Sequence, residues 1–343
     1  MKAIVQTGAE TVELQDRERP TPAPDEVLVR VHTAGICGSD AHAYKYDEEY
    51  HWVPIPRVMG HEYAGTVEAV GDDVTSFRPG ETVTEEPVHD CGECFQCRNG
   101  QSNVCQNFDI TGMHRDGAYA EYVCVPPEHL HRVPETVPLR AAALTEPTSI
   151  AARAVLTRSS VEPGDDVLVQ GPGPIGVLTA AIADSIGADV VVSGLGRDTA
   201  ARLPLVSDLG IDTVNVEETS LEGVADERTR GGGFDRIFDA TGHRSGIETG
   251  IEHVRKGGEI VMVGIPNGPS TVSLAGAVRG EVTVETSYGS TWRNFEQALR
   301  LLEDGSVDAE AIVDDGFSVE DPTAAFEAFL ASETCKPVFT FDG

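Results

Sequence analysis

The sequence predicts an α/β chain with a β-rich first domain followed by a doubly wound parallel sheet. Three observations predict this. The first stretch of about 150 residues holds alternating apolar strands punctuated by Gly and Pro. After it, the pattern changes to short buried strands separated by amphipathic helices. One of those strands runs directly into a glycine triplet that opens a helix.

Each element follows in order. Residues 26–33 (EVLVRVHT) alternate apolar and polar, as a half-buried strand does. Residues 63–70 (YAGTVEAV) form a second strand, ended by Gly71-Asp72. The stretch 79–84 (PGETVT) is a turn leading into a strand. SIAARAVLTRSS reads as a helix, DDVLVQG as a buried strand, PIGVLTAAIADSIG as a helix and ADVVVSG as a strand. The alternation continues through DTVNV, a polar helix, FDRIFDAT, the helix GIETGIEHVRKG, EIVMVGI and VTVETS. Six strands with helical crossovers imply a doubly wound parallel sheet. The helix NFEQALRLLEDG and the strand KPVFTFDG close the chain. This tail is too short for a domain of its own, so it is expected to return and complete the first one. The expected division is therefore 1–150 with 290–343, and 151–289.

The 343 residues suit two domains with full cores, and 40% hydrophobic content is ordinary for a globular chain. Charge is not ordinary: 57 acidic residues stand against 25 Lys and Arg, a formal net charge of -32. The lysines are Lys2, Lys45, Lys256 and Lys336. Acidic residues are spread along the chain rather than gathered in a tail. Nucleic-acid binding needs a basic face and is disfavoured. Regular apolar strands argue against disorder. Adaptation to high salt remains, because screening relieves the self-repulsion of such a charge. No signal-peptide pattern opens the chain and no long apolar run spans a membrane, so the expected compartment is the cytoplasm.

Three motifs carry chemistry. Cys91, Cys94, Cys97 and Cys105 crowd into fifteen positions, with glycines that help the loop turn. Four thiolates can close a tetrahedral shell around zinc, and a closed shell is a structural site. An iron–sulfur cluster is open on thiolates alone, although the last gap matches neither usual spacing. The second motif is VLVQ-Gly171-Pro172-Gly173-Pro174-Ile175-Gly176, a dinucleotide fingerprint in its proper strand–turn–helix context. Its glycines permit the tight turn, the approach of a pyrophosphate and close helix packing. The helix N-terminus then faces the anion. The third is an absence: Gly194 stands where an NAD-specific site places Asp or Glu, and Arg197 follows closely. Gly194 leaves space there that Arg197 can enter, which suits the 2′-phosphate of NADP. Asp198 opposes a phosphate, and Arg197 as a solvated surface charge is the alternative, so NAD stays open.

The segments GICGSDAH (35–42) and GHE (60–62) resemble the zinc-containing medium-chain alcohol dehydrogenases. Gly60-His61-Glu62-x2-Gly65-x5-Gly71-x2-Val74 is similar to that family's zinc signature throughout, and the resemblance runs over essentially the whole chain. It implies a GroES-like β-rich catalytic domain, a Rossmann nucleotide-binding domain, two zinc ions per chain and a homo-oligomer, dimer or tetramer. It implies Cys37 and His61 as catalytic zinc ligands. Glu146, in LTEPTSIA, occupies the place of a second cysteine. Either Glu62 or Glu146 could supply the third ligand. Asp40 resembles the carboxylate that orients a ligand. Ser39 and His42 resemble a relay that takes the alcohol proton to solvent.

The substrate is less well marked. The loop Tyr44–Trp52 resembles that of threonine dehydrogenases, but Glu86-Pro87-Val88 lacks their histidine and is closer to polyol dehydrogenases. Glu146-Pro147-Thr148-Ser149 also resembles the polyol form. The expected substrate is a polyol, sugar or vicinal diol, with glucose and threonine as alternatives. A metal-free, quinone-reductase-like or non-catalytic relative is the alternative of another class; retention of Cys37, His61, Glu62 and Glu146 argues against it.

Salt should govern stability. Dialysis from about 1 M to about 0.1 M salt lengthens the screening distance from roughly 3 to 10 Å. The expected result is loss of far-UV circular dichroism as acidic residues repel. An unchanged spectrum and full activity after a day in dilute buffer would sink the salt-adaptation reading.

Overall fold

The alternation at 26–33 produces the strand Val27–Gly35 in the structure, a computed structural model describing residues 1–341. This strand lies inside a sheet ordered Leu130–Arg132, Thr82–Glu85, Glu62–Val70, Val27–Gly35, Lys336–Thr340 and Val313–Asp314. Tyr122–Val125 also pairs with it. Glu62–Val70 and Lys336–Thr340 flank Val27–Gly35 on opposite edges, both antiparallel to it. The register sets Glu62 opposite Gly35 on one side and Val338 opposite Gly35 on the other. The end of the chain is thereby stitched into the sheet begun near its start. The last two residues of the expected strand KPVFTFDG lie outside the described residues.

Apolar residues of these strands meet Tyr44, Tyr119, Phe326 and Phe339 in one buried core. Tyr119 packs edge-on against both Phe326 and Phe339. A hairpin of Lys2–Gly8 and Thr11–Asp16 covers this core and was not expected from the sequence. Its first strand buries four consecutive residues, Ala3 to Gln6, so the period-two signal is absent.

Contacts group Met1–Ser149, Gly289–Asp304 and the chain from Ile312 onward as one unit. Ile150–Tyr288 and Gly305–Ala311 form the second. The expectation kept all of 290–343 with the first unit; Gly305–Ala311 instead groups with the second.

The second unit holds a parallel six-stranded sheet. Its spatial order is Asp212–Asn215, Asp189–Gly194, Asp166–Gln170, Phe234–Asp239, Val254–Met262, Thr283–Thr286. Central strands such as VLVQ are buried on both faces, as helices on each side require. One boundary differs from expectation. The helix foreseen through GIETGIEHVRKG stops at His253, and a strand begins at Val254. Val254 already pairs with Phe234, so the sheet ladder takes the backbone that the helix would have used.

The helix Pro174–Ile186 starts at Gly173 and runs under the sheet with eight buried residues. Its approach depends on Gly176: a Cβ there would stand 1.8 Å from the Gly171 carbonyl oxygen. No helix among the described residues is long and apolar enough to cross a membrane. Gly176→Ala should force the helix away from the turn. The expected cost is about 1–3 kcal/mol in urea unfolding, measured without ligand; an unchanged midpoint would show that the turn gives way freely.

Candidate functional site

Ligand-type side chains gather in two places in the first unit. Cys37 follows the strand Val27–Gly35 and opens the helix Gly38–Lys45. Glu62 opens the neighbouring strand, directly after His61. The ligand atoms of Cys37, His61 and Glu62 all lie within 4.8 Å of one another. Glu146 is buried and stands outside that group.

The side chains packed around this group are largely buried and charged. Asp40 is fully buried; its Oδ2 accepts hydrogen bonds from Cys37 N at 3.0 Å and Tyr119 OH at 2.7 Å. Its Oδ1 lies 3.5 Å from His61 Nδ1. Burial alone would raise the Asp40 carboxyl, but His61 and the bonds from Tyr119 and Cys37 hold it below its usual value. Burial would lower His61; Asp40 and Cys37 outweigh it and raise the imidazole well above its usual range. Ser39 Oγ is 3.5 Å from His61 Nε2. His42 faces outward, with Nδ1 2.6 Å from Asp47 Oδ2 and its ring stacked on Tyr50. Burial, then the Glu62 charge, push Glu146 up to about 7.

Two buried residues that sequence reasoning missed complete this pocket. Lys336 Nζ donates to Glu62 Oε2 at 2.5 Å and to Ile36 O at 2.9 Å. Both partners of the ion pair are only 1% exposed. The pair passes over Gly35, where a Cβ would come within 2.9 Å of Glu62 Oε2. The other oxygen, Glu62 Oε1, is buried without a hydrogen-bond partner. Tyr119 is the second missed residue, donating to Asp40 and to Gly35 O. A signal for Lys336 existed, since it is one of four lysines and begins an apolar strand. Tyr119 gives none, because an aromatic between alanines reads as ordinary core.

The second gathering is Cys91, Cys94, Cys97 and Cys105. Four of their sulfur–sulfur separations are 3.3, 3.4, 3.8 and 4.0 Å. A tetrahedron with zinc–sulfur bonds of about 2.3 Å needs roughly 3.8 Å between sulfurs. Backbone N–H groups of Cys97 and Gln106 pull the Cys94 thiol down to about 6, toward the thiolate that a metal takes. The donor sets of both groups thus fit a zinc ion.

In the second unit, Gly171 holds a left-handed backbone with φ 95° and Gly173 caps the helix that runs on through Pro174, Ile175 and Gly176. A Cβ on Gly173 would meet nothing within 4 Å, so open space lies before the helix N-terminus. That is where a pyrophosphate would be received. The tip of the next strand corrects an expectation. Gly194 leaves no space: a Cβ there would stand 2.9 Å from Leu203 Cδ2 and 3.0 Å from Pro172 Cγ. Arg197 is exposed on the loop beyond it.

Comparison with known proteins agrees with this geometry. Residues 23–135 match the model of the alcohol dehydrogenase GroES-like domain, and residues 174–304 match that of zinc-binding dehydrogenases. The chain is 33% identical to a sorbitol dehydrogenase of Halalkalibacterium halodurans, over 99% of both chains. It is 35% identical to an L-threonine 3-dehydrogenase of Anaeromyxobacter dehalogenans, over 98% of both. Among solved structures, a zinc-binding dehydrogenase from Sinorhizobium meliloti bound to NADP superposes with a TM-score of 0.90. That pair shares 26% identity over 99% of each chain.

Removing Lys336 should leave Glu62 as an uncompensated buried charge. Lys336→Met is expected to lower stability by about 3–5 kcal/mol in urea unfolding. Adding Glu62→Gln should recover most of the loss. A double variant no more stable than Lys336→Met would show that the charge pair is not the cause.

Proposed function

The chain belongs to the zinc-binding alcohol dehydrogenase family, and from that premise we propose that it oxidises a polyol, sugar or vicinal diol by hydride transfer to NADP, with NAD accepted as well. One observation carries the reading: the ligand atoms of half-buried Cys37 and buried His61 and Glu62 lie within 4.8 Å of one another, and Glu62 Oε1 has no hydrogen-bond partner.

Cys37, His61 and either Glu62 or Glu146 would hold the catalytic zinc; Cys91, Cys94, Cys97 and Cys105 would hold a structural one. When bound, zinc supplies Lewis acidity toward an alcohol oxygen and nicotinamide supplies a hydride acceptor. The chain's own residues do the rest. Lys336 takes one oxygen of Glu62 and leaves the other without a hydrogen-bond partner. Asp40, fixed by Tyr119 and Cys37 N, sits beside His61 Nδ1 and orients the ring. Ser39 Oγ, next to His61 Nε2, receives the hydroxyl proton. His42, bonded to Asp47 and partly exposed, carries it toward solvent.

Residues 1–150 and 290–343, apart from 305–311, would form the catalytic domain and 151–289 the nucleotide-binding domain. Gly171, Gly173, Pro174, Ile175 and Gly176 would receive the pyrophosphate. The absence of a carboxylate at Gly194, with Arg197 just beyond, supports NADP as the preferred cofactor. Thr283–Thr286 is an edge strand, and Leu274, Val278 and Val284 near it are exposed. An open edge beside apolar side chains supports a homo-oligomer, dimer or tetramer.

Glu146 and Glu86-Pro87-Val88 support the polyol or diol class. The 35% identity to a threonine dehydrogenase favours a second reading, oxidation of the hydroxyl of threonine. A panel of polyols, glucose, vicinal diols and threonine, assayed in high salt with NAD and NADP, separates them. The expected preparation holds two zinc ions per chain, has an oligomeric mass by light scattering, and shows its best kcat/KM with a diol or polyol. Cys37→Ser should stay folded, keep one zinc and lose nearly all turnover, whereas Cys94→Ser should lose stability. Higher kcat/KM for threonine overturns the substrate class; substantial turnover in Cys37→Ser overturns the catalytic assignment.

A further inference from the structure

Two carboxylates converge on the tip of the strand Asp189–Gly194, the place where this fold holds the adenine-side ribose of a dinucleotide. Asp198 is buried, and its Oδ2 accepts a hydrogen bond from Leu195 N at 2.9 Å. The Arg202 guanidinium lies 3.9 Å from its other oxygen. Glu217 is exposed, and its Oε2 accepts from Gly196 N at 2.8 Å. A Cβ on Gly196 would stand 2.6 Å from that oxygen, so the missing side chain is what admits Glu217.

Glu217 reaches this position through the sheet. Asp212–Asn215 runs parallel to Asp189–Gly194, with Asn215 beside Gly194. Val216 N donates to Gly194 O at 3.0 Å, and Glu217 N to Asn215 Oδ1 at 3.1 Å. The two strands therefore end together, and Glu217, two residues past the second strand, delivers its carboxylate over the end of the first.

We propose that Glu217 is a specificity-determining residue for the nicotinamide cofactor, standing in for the carboxylate that Gly194 lacks. The inference rests on the dinucleotide reading of this unit and deepens it. A carboxylate at this tip accepts hydrogen bonds from the ribose hydroxyls of NAD. It repels the 2′-phosphate of NADP, and it occupies the Gly196 N–H that a phosphate would otherwise take. Asp198 occupies the neighbouring Leu195 N–H in the same way. Arg197 acts in the opposite sense by attracting the phosphate. The balance between Arg197 and Glu217 is what keeps NAD acceptable to a site without an acid at Gly194.

The test is calorimetric titration of the full-length, zinc-loaded protein at fixed high salt with ADP-ribose and 2′-phospho-ADP-ribose. Glu217→Gln removes the charge; Glu217→Ala also frees the Gly196 amide. The expected result is about tenfold tighter binding of the 2′-phosphorylated probe in both variants and severalfold weaker binding of ADP-ribose. Glu217→Ala should shift further than Glu217→Gln. A ratio of the two dissociation constants within twofold of wild type in both variants overturns the role of Glu217. Failure of the wild-type protein to bind either probe overturns the dinucleotide reading itself, and with it this inference.

Discussion

The bond between Lys336 and Glu62 joins residues on either edge of the strand Val27–Gly35, crossing over the one position there that has no side chain. The pocket around it depends on that bond. Asp40, Glu62 and Glu146 are three buried carboxylates, with the Cys37 thiol beside them; Lys336 and His61 are the cationic groups that face them. Taking an ion out of water costs several kcal/mol even after relaxation, so unbalanced charge here would be severely destabilising. Burial first, and then the Glu62 charge, raise the Glu146 carboxyl to about 7. On the proposed reading, a divalent cation held by Cys37, His61 and a carboxylate would complement this charge. Without Lys336 the Glu62 carboxylate would stand buried with no cation bonded to it.

The features legible in the sequence were those written in local spacing. The four cysteines lie within fifteen positions, and their sulfurs do converge. The glycine fingerprint lies in one turn, and Gly176 packs against Gly171 as that pattern implies. Alternation within the strand found Val27–Gly35, and short apolar runs between helical stretches found the parallel strands of the second unit.

What could not be read depends on distant partners. Lys336 meets Glu62 across 274 residues, and Tyr119 meets Asp40 across 79. No window of sequence contains either relation. The tip of Asp189–Gly194 shows the same limit in another form. Gly194 looked like open space because glycine is small, yet Leu203 and Pro172 already fill it. The carboxylate sought at that position is delivered by a neighbouring strand, from a residue that in sequence is only one of a pair of surface glutamates. The end of the helix at His253 was likewise decided by the pairing of Val254 with Phe234, which no periodicity records.

The stitching of Lys336–Thr340 into the sheet that begins at Val27–Gly35 has a consequence for the order of events during synthesis. The ribosome releases Glu62 long before it makes Lys336. At about 5–20 residues per second, the 274 intervening residues take roughly 14–55 s to add. Through that interval Tyr122–Val125 can pair the Val27–Arg30 part of one edge, but the Thr33–Gly35 part of it has no partner, and the Glu62 carboxylate lacks the Lys336 counter-charge. The parallel sheet of the second unit, by contrast, is contiguous in the chain from Asp166 to Thr286 and can close while translation continues. The nascent protein would thus acquire its parallel sheet first, and its buried ion pair only once Lys336 has emerged.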